Sequence, residues 1–171
     1  MPQPSIITVF GSYAPAPGSA EYEQACQVGF QLGQAGFSIA NGGYAGTMEA
    51  SARGAKEAVA RTIGVTCTAF TRSQPNSYID QEVQTPSLRD RLEKLIELGR
   101  GYVVLPGGTG TLTELAYAWE LMNKGFLTGR TLVILGHFWQ PVVDLVEGVT
   151  QRSRGLIRRA NEPRELPDIF S

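Results

Sequence analysis

The sequence predicts a doubly wound α/β fold, in which a mostly parallel sheet is covered by helices on both faces. Short apolar runs alternate with stretches of helical spacing along nearly the whole chain. Many of the 20 glycines lie where a predicted strand passes into a helix, and such a fold needs its tight turns there. We expect residues 1–171 to form a single domain.

The predicted elements follow one another in a regular order. Apolar runs predict strands at residues 6–10, 37–40, 62–66, 79–83, 102–105 and 131–135, with a strand-like segment after residue 155. Apolar residues spaced three or four apart predict helices from 19 to 36, from 47 to 60, after 87, after 111 and from 141 to 149. Ser19 is a candidate N-cap, because a serine side chain accepts hydrogen bonds from first-turn amides.

The amino-acid composition indicates a globular protein and predicts neither nucleic-acid binding nor a metal site. The chain is 42% hydrophobic and 18% charged, which is typical of a globular domain, and its net charge of −1 gives no electrostatic reason for nucleic-acid or membrane binding. A signal peptide or membrane span is not predicted, so a cytoplasmic location is expected. Cys26, Cys67 and His137 are too few and too scattered to predict a metal site, and no cofactor is expected.

One glycine-rich stretch, residues 106–114 (PGGTGTLTE), points to a function. It follows the apolar run 101–105 and precedes a stretch of helical spacing, so it joins a predicted strand to a predicted helix. Glycines there let backbone amides approach an anion, and the helix dipole favours negative charge at the same place. The stretch therefore predicts a phosphate-binding turn, with the carboxylate of Glu114 close to the molecule that bears the phosphate.

Three glycine-containing turns leave the carboxyl ends of predicted strands, where open parallel sheets bind ligands. Each turn is weak evidence by itself, because glycines also make ordinary tight turns. Together they predict one crevice, in which a nucleotide would be bound. The candidate binding residues are Gly11, Ser12, Gly42, Gly43, Gly107, Gly108, Thr109, Gly110 and Thr111.

Glu114 and Arg91 each have a functional and a structural interpretation. Residues 111–114 match a capping box, which alone would explain Glu114. A helix N-terminus favours the ionised form of Glu114, whereas a bound phosphate nearby would oppose ionisation. The ionised form suits a nucleophile, a base or a stabiliser of a cationic sugar, and it suits a general acid poorly. Arg91, on the helix before the strand 102–105, is either a solvated surface arginine or part of the site.

The pattern Pro-Gly-Gly-x-Gly-Thr-x-x-Glu at residues 106–114, with Arg91 on the preceding helix, resembles the LOG family of cytokinin riboside 5′-monophosphate phosphoribohydrolases. The resemblance also includes the turns at 11–12 and 42–48 and the closing segment 155–157. It implies a Rossmann-like fold and a homodimer. It implies hydrolysis of the N-glycosidic bond of AMP or N6-substituted AMP to free base and ribose 5-phosphate. No metal is expected to take part, because the sequence shows no cluster of metal ligands.

The same resemblance assigns roles to individual residues. The catalytic arginine and glutamate of the family fall on Arg91 and Glu114, and its phosphate-binding glycines and threonine fall on the turn that begins at Gly107. Three positions depart from the family pattern: Leu92 replaces a lysine, Asn41 replaces the first of three glycines, and Glu49 stands where many members have glycine.

These departures leave a second function open. In that alternative the chain is a carrier that holds a nucleotide or a molybdenum cofactor without cleaving it, and Glu114 is only a helix cap. The lysine decarboxylase activity once attached to the family is not favoured. That chemistry commonly places pyridoxal phosphate on a lysine, and Lys56, Lys94 and Lys124 are all predicted within or at the ends of helices, away from the crevice.

Overall fold

In the computed structural model, which describes residues 4–71 and 74–171, seven strands form one parallel sheet. Their order across the sheet is β4-β3-β2-β1-β5-β6-β7, and all neighbouring pairs run parallel. The predicted doubly wound α/β fold is therefore confirmed. The strands are β1 Ile6–Phe10, β2 Ser38–Asn41, β3 Thr62–Cys67, β4 Gln81–Thr85, β5 Gly101–Val104, β6 Thr131–Leu135 and β7 Ile157–Ala160.

Six α-helices connect and cover these strands within the same described residues. Ser19 and Ser87 cap the first and third helices, and their side chains accept hydrogen bonds from the amides of Tyr22 and Asp90. No helix in this part of the chain is long and apolar enough to cross a bilayer. The helices are α1 Ala20–Gln34, α2 Thr47–Glu57, α3 Leu88–Leu98, α4 Thr109–Asn123, α5 Gln140–Val149 and α6 Leu166–Phe170.

The core lies in two layers, one on each face of the sheet. Because side chains alternate along a strand, Tyr102 and Val104 pack against α3, α4 and α5, whereas Val103 packs against α1, α2 and α6. The central strands β2, β3 and β5 are buried along their whole length, as is typical of a sheet covered on both faces. Leu115 and Trp119 of α4 lie in this core, 1% and 6% exposed.

The chain reverses its direction across the sheet at β1. From β1 it passes outward through β2 and β3 to β4, and then α3 returns it to β5 on the other side of β1. Thr8 of β1 lies opposite Ala40 of β2 and Tyr102 of β5. The turns that follow β1 and β5 therefore open at the switch point of the sheet, where ligands of such folds bind.

Candidate nucleotide-binding site

The three glycine-containing turns meet at this switch point, and two threonines join them. The amide of Ser12 donates to Oγ1 of Thr47 at 2.9 Å, which ties the turn after β1 to the start of α2. The hydroxyl of Thr111 donates to the carbonyl of Gly11 at 2.9 Å, which ties the same turn to the start of α4. The residues predicted to line one crevice are thus brought together by hydrogen bonds.

The glycines of the crevice serve two different purposes. A Cβ on Gly11 would lie 2.1 Å from Oγ1 of Thr47, and a Cβ on Gly107 would lie 2.1 Å from Oγ1 of Thr111. These two glycines make room for the threonine hydroxyls that join the turns. A Cβ on Gly108 or Gly110 would meet no atom within 4 Å, so the space beside them is open to a ligand.

The start of α4 presents unused hydrogen-bond donors to that open space. Gly108 is the N-cap, and the first helical bond runs from the amide of Leu112 to the carbonyl of Gly108 at 3.0 Å. The amides of Thr109, Gly110 and Thr111 donate to no acceptor among the described residues, and no acidic side chain lies in this first turn. Together with the dipole of a 15-residue helix, these amides can bind an anion.

The capping box predicted for residues 111–114 is wrong. Helix α4 begins at Thr109, three residues earlier than a cap at Thr111 requires, and Thr111 lies inside the first turn. Its hydroxyl donates to Gly11 instead of accepting from the amide of Glu114. The side chain of Glu114 is therefore not explained by helix capping.

Glu114 lies one turn further along α4 and is partly buried. This burial raises the pKa of its carboxyl group from 4.5 to about 7, although the nearby charge of Arg91 opposes the shift. Desolvation outweighs the charge of Arg91, so the carboxyl group is only partly ionised at neutral pH. A carboxyl group with a pKa near neutrality can both accept and release a proton under physiological conditions.

This raised pKa predicts a pH-dependent difference in stability between the wild-type protein and Glu114→Gln. Between the ordinary pKa and about 7 the folded chain binds more protons at this carboxyl than the unfolded chain, so the wild-type protein loses stability as pH rises. Glutamine does not titrate. The Tm of the variant minus that of the wild type should therefore increase from about pH 5 to about pH 7 and then level off. A Tm difference that stays constant across this pH range would contradict the raised pKa of Glu114.

Arg91 is buried, with 8% of its surface exposed, and not a solvated surface arginine. Its Nε donates to the carbonyl of Val65 at 2.8 Å and its Nη2 to the carbonyl of Gly42 at 3.0 Å. It forms no ion pair with any carboxylate of the described residues. A buried guanidinium that is fixed by two carbonyls and lacks a counter-ion is well placed to face an anionic or polar ligand.

Gly42 is required at its position by this arginine. A Cβ there would lie 1.9 Å from Nη2 of Arg91 and 2.5 Å from the sulfur of Met48. Gly43, the next residue, has a φ of +79°, which L residues with a side chain rarely adopt. Gly42 therefore lies directly beside the buried guanidinium and accepts one of its hydrogen bonds, whereas a Cβ on Gly43 would meet Thr66 and Gly64.

Two aromatic residues of the site were missed by the sequence analysis. The guanidinium of Arg91 lies over the ring of Tyr44, 5.4 Å from its centroid, and over the ring of Phe70, 5.6 Å from its centroid. Tyr44 could have been identified from the sequence, because it is an aromatic residue within the glycine-rich turn between Gly43 and Gly46. Phe70 follows β3 in a polar segment, and nothing in the local pattern distinguishes it.

A family model described as the SLOG cluster4 family matches residues 4–165 of the chain. The chain belongs to the SLOG cluster4 family. It is 31% identical over 133 residues to the cytokinin riboside 5′-monophosphate phosphoribohydrolase of Mycobacterium tuberculosis H37Rv, a match that covers 73% of this chain and 70% of that protein. The resemblance to the LOG family is thereby confirmed.

Two further relatives extend the comparison. The chain is 31% identical over 122 residues to the pyrimidine/purine nucleotide 5′-monophosphate nucleosidase of Escherichia coli K12. That match covers 67% of this chain but only 26% of the E. coli protein, so the chain spans about a quarter of that relative's length. The molybdenum cofactor binding protein of Rippkaea orientalis superposes with a TM-score of 0.81 at 21% identity, covering 99% of this chain and 96% of that one. At this identity the likeness shows the fold alone.

The positions at which this SLOG chain departs from the LOG pattern have structural roles. The buried amide of Asn41 donates to the carbonyl of Met48 and to Ser51 Oγ, and its oxygen accepts from the amide of Gly43 at 2.8 Å. Glu49 accepts a hydrogen bond from the hydroxyl of Tyr22 at 2.7 Å, which joins α2 to α1. Leu92 is partly buried against the core beneath α3. These three side chains support the scaffold of the site.

Proposed function

We propose that this SLOG protein hydrolyses the N-glycosidic bond of a nucleoside 5′-monophosphate, with AMP and N6-substituted AMP as the first candidates. One observation supports this most strongly: the open amides at the start of α4 share a crevice with a partly buried carboxyl group whose pKa is about 7. The names of the E. coli and M. tuberculosis relatives support the same reaction. A carrier needs only the amides, whereas a carboxyl group with a perturbed pKa beside them is typical of catalytic sites.

The reaction requires a group beside the sugar that stabilises positive charge. In the reaction, the C1′–N bond breaks and its electron pair leaves with the base, which takes a proton from water, while the oxygen of a second water bonds to C1′. Positive charge develops on C1′ and the ring oxygen, as in glycoside hydrolysis. In its ionised form, Glu114 stabilises that charge and either accepts a proton from the attacking water or bonds to C1′ itself. In the second case water then displaces the carboxylate from C1′, which restores the free enzyme and gives ribose 5-phosphate.

The remaining residues of the crevice bind and orient the nucleotide in this proposal. The amides of Thr109, Gly110 and Thr111 hold the 5′-phosphate, and their binding energy fixes the sugar beside Glu114. Arg91 faces the sugar hydroxyls and Glu114 with donors that its two carbonyl partners leave unused. The turns at Gly11 and Gly42 form the floor of the crevice under the nucleoside.

The proposal is tested by incubating the protein with AMP and separating the products by chromatography. We expect adenine and ribose 5-phosphate in equal amounts, and the same rate in the presence of a metal chelator. Binding of AMP without products, measured by calorimetry, would overturn hydrolysis and favour the alternative of a nucleotide or molybdenum-cofactor carrier. Absence of both binding and products would overturn the nucleotide site altogether.

We also propose that the protein is a homodimer, as the LOG resemblance implies. Apolar side chains exposed on α4 and α5 support this: Leu112, Leu145 and Val146 are 38%, 71% and 37% exposed. Sedimentation equilibrium should give twice the mass of the chain, and Leu145→Glu should shift the protein toward the monomer. A monomer at micromolar concentration would contradict the proposal.

A further inference from the structure

The proposed function, on which this inference rests, leaves the base of the nucleotide without a binding site. The amides that would hold the phosphate follow β5, whereas Arg91 contacts the main chain directly after β2 and within β3. The sheet order places β1 between them. With neighbouring strands about 4.8 Å apart, these places are separated by about 10 to 14 Å, enough to accommodate the two ends of a nucleotide.

The direction in which the nucleoside extends follows from the charged residues. Glu114 lies close enough to Arg91 for its carboxyl group to respond to the guanidinium charge. A sugar beside Glu114 therefore lies on the side of the crevice that faces β2 and β3. On the other side, the indole of Trp139 donates to the carbonyl of Leu105 at 2.8 Å and covers the end of β5.

An aromatic and cationic surface lies at the β2–β3 end of the crevice. It consists of Tyr44, Phe70 and the guanidinium of Arg91, and we call it the aromatic surface. The two rings are 5.9 Å apart and tilted by 45°. Phe70 is 37% exposed, so part of its ring is open to a ligand. Aromatic and guanidinium planes are the groups on which proteins stack nucleobases.

The hydrogen-bonding groups of the same turn are already used within the protein. The carbonyl of Gly42 accepts from Arg91, and the carbonyls of Gly43 and Tyr44 accept from the side chain of Asn76. The hydroxyl of Tyr44 accepts from the amide of Cys67 at 2.8 Å. Among the described residues, these groups of the turn are not free to recognise the edge of a base, whereas the exposed ring of Phe70 remains available to its face.

We propose that the nucleobase stacks on the aromatic surface and is recognised by its face and not by its edge. Phe70 then determines how strongly the base is bound, and the protein distinguishes bases by ring area. Purine nucleotides of equal size are accepted alike, and pyrimidine nucleotides bind more weakly because they cover less of the surface. A protein that binds the edge of a base by hydrogen bonds, by contrast, discriminates against a base with mismatched hydrogen-bonding groups by about 10⁴-fold or more.

Phe70→Ala tests the role of the ring directly. We expect the KM for AMP to rise about 5- to 100-fold, as loss of one stacking partner does for other bases, with little change in kcat. The inhibition constant of ribose 5-phosphate, which has no base, should not change. Phe70→Tyr should retain the wild-type KM. The KM of Phe70→Leu should lie between those of the tyrosine and alanine variants, because leucine keeps apolar area without a ring.

Phe138 supplies a matched control, since it is an exposed aromatic residue that follows β6 at the same edge of the sheet. Phe138→Ala should leave the KM for AMP unchanged. An increase in KM with Phe138→Ala and none with Phe70→Ala would overturn the assignment and place the base on the other side of the crevice. A change in the ribose 5-phosphate constant with Phe70→Ala would also overturn it, because Phe70 would then act on the sugar or phosphate.

The wild-type protein gives an independent test with a series of nucleotides. The kcat/KM values for AMP and GMP should agree within about tenfold, and those for CMP and UMP should be lower. A preference above about 10³-fold between AMP and GMP would overturn recognition by the face. If no base is released from any nucleotide, hydrolysis fails, and the same comparisons are made with dissociation constants. Failure to bind AMP at all would overturn both proposals.

Discussion

Glu114→Gln is expected to lower the rate of base release from AMP by about 10²- to 10⁴-fold. Glutamine keeps the size of the side chain but can neither carry the negative charge that stabilises a cationic sugar nor accept a proton from water. The dissociation constant of AMP should change only a few-fold, because the amides of Thr109, Gly110 and Thr111 remain in place. Single-turnover kinetics and calorimetry measure the two effects separately.

Glu120→Gln is the control for this experiment. Glu120 lies on the same helix, and among the described residues its exposed side chain pairs only with Asn123 and Lys124. Its replacement should leave both turnover and binding unchanged. If Glu114→Gln releases adenine at the wild-type rate, this carboxyl group has no part in the chemistry. If the rate falls equally in both glutamine variants, the substitutions have a general effect on α4.

Arg91→Lys is expected to lower kcat/KM by at least about 100-fold and to destabilise the fold by about 1–3 kcal/mol. One ammonium group cannot donate to Val65 and Gly42 in the geometry that the planar guanidinium provides. The buried carbonyls then lose their partners, and the charge that faces Glu114 moves. The pH–rate profile should shift as well, since Arg91 lowers the pKa of Glu114 in the wild-type protein.

Arg89→Lys is the matched control, because Arg89 lies on the same helix and its side chain is 83% exposed. Its pairing with Glu93 is of the surface kind that contributes little to stability. We expect no change in kcat/KM and a change in stability within about 0.5 kcal/mol. An Arg91→Lys variant with the activity of Arg89→Lys would show that the buried guanidinium is only a structural support.

Much of the fold was predictable because local patterns and tertiary structure agree. The apolar runs at residues 6–10 and 131–135 became strands with the same bounds, and Ser19 caps α1 as its side chain predicts. Boundaries moved by one to three residues elsewhere, since the last turn of a helix or the end of a strand depends on its neighbours. Asn41, predicted outside β2, forms its last residue.

The chemistry of the site was less predictable because it depends on burial and on distant contacts. A sequence shows the glutamate at 114, but its pKa follows from how the folded chain excludes water around it. The capping-box pattern matched by chance, because Thr111 is bonded to Gly11, one hundred residues earlier. The burial of Arg91 under Phe70 likewise joins segments that no local spacing connects. The family resemblance identified Arg91 as a site residue where its spacing did not.

The central claim is that main-chain amides at the start of α4 hold the 5′-phosphate and present C1′ to Glu114. A crystal structure of Glu114→Gln with AMP tests it most directly. We predict phosphate oxygens within hydrogen-bonding distance of the amides of Thr109, Gly110 and Thr111, with the side chain at 114 facing C1′. A phosphate bound elsewhere, with these amides turned toward solvent or toward the protein's own side chains, would contradict the account.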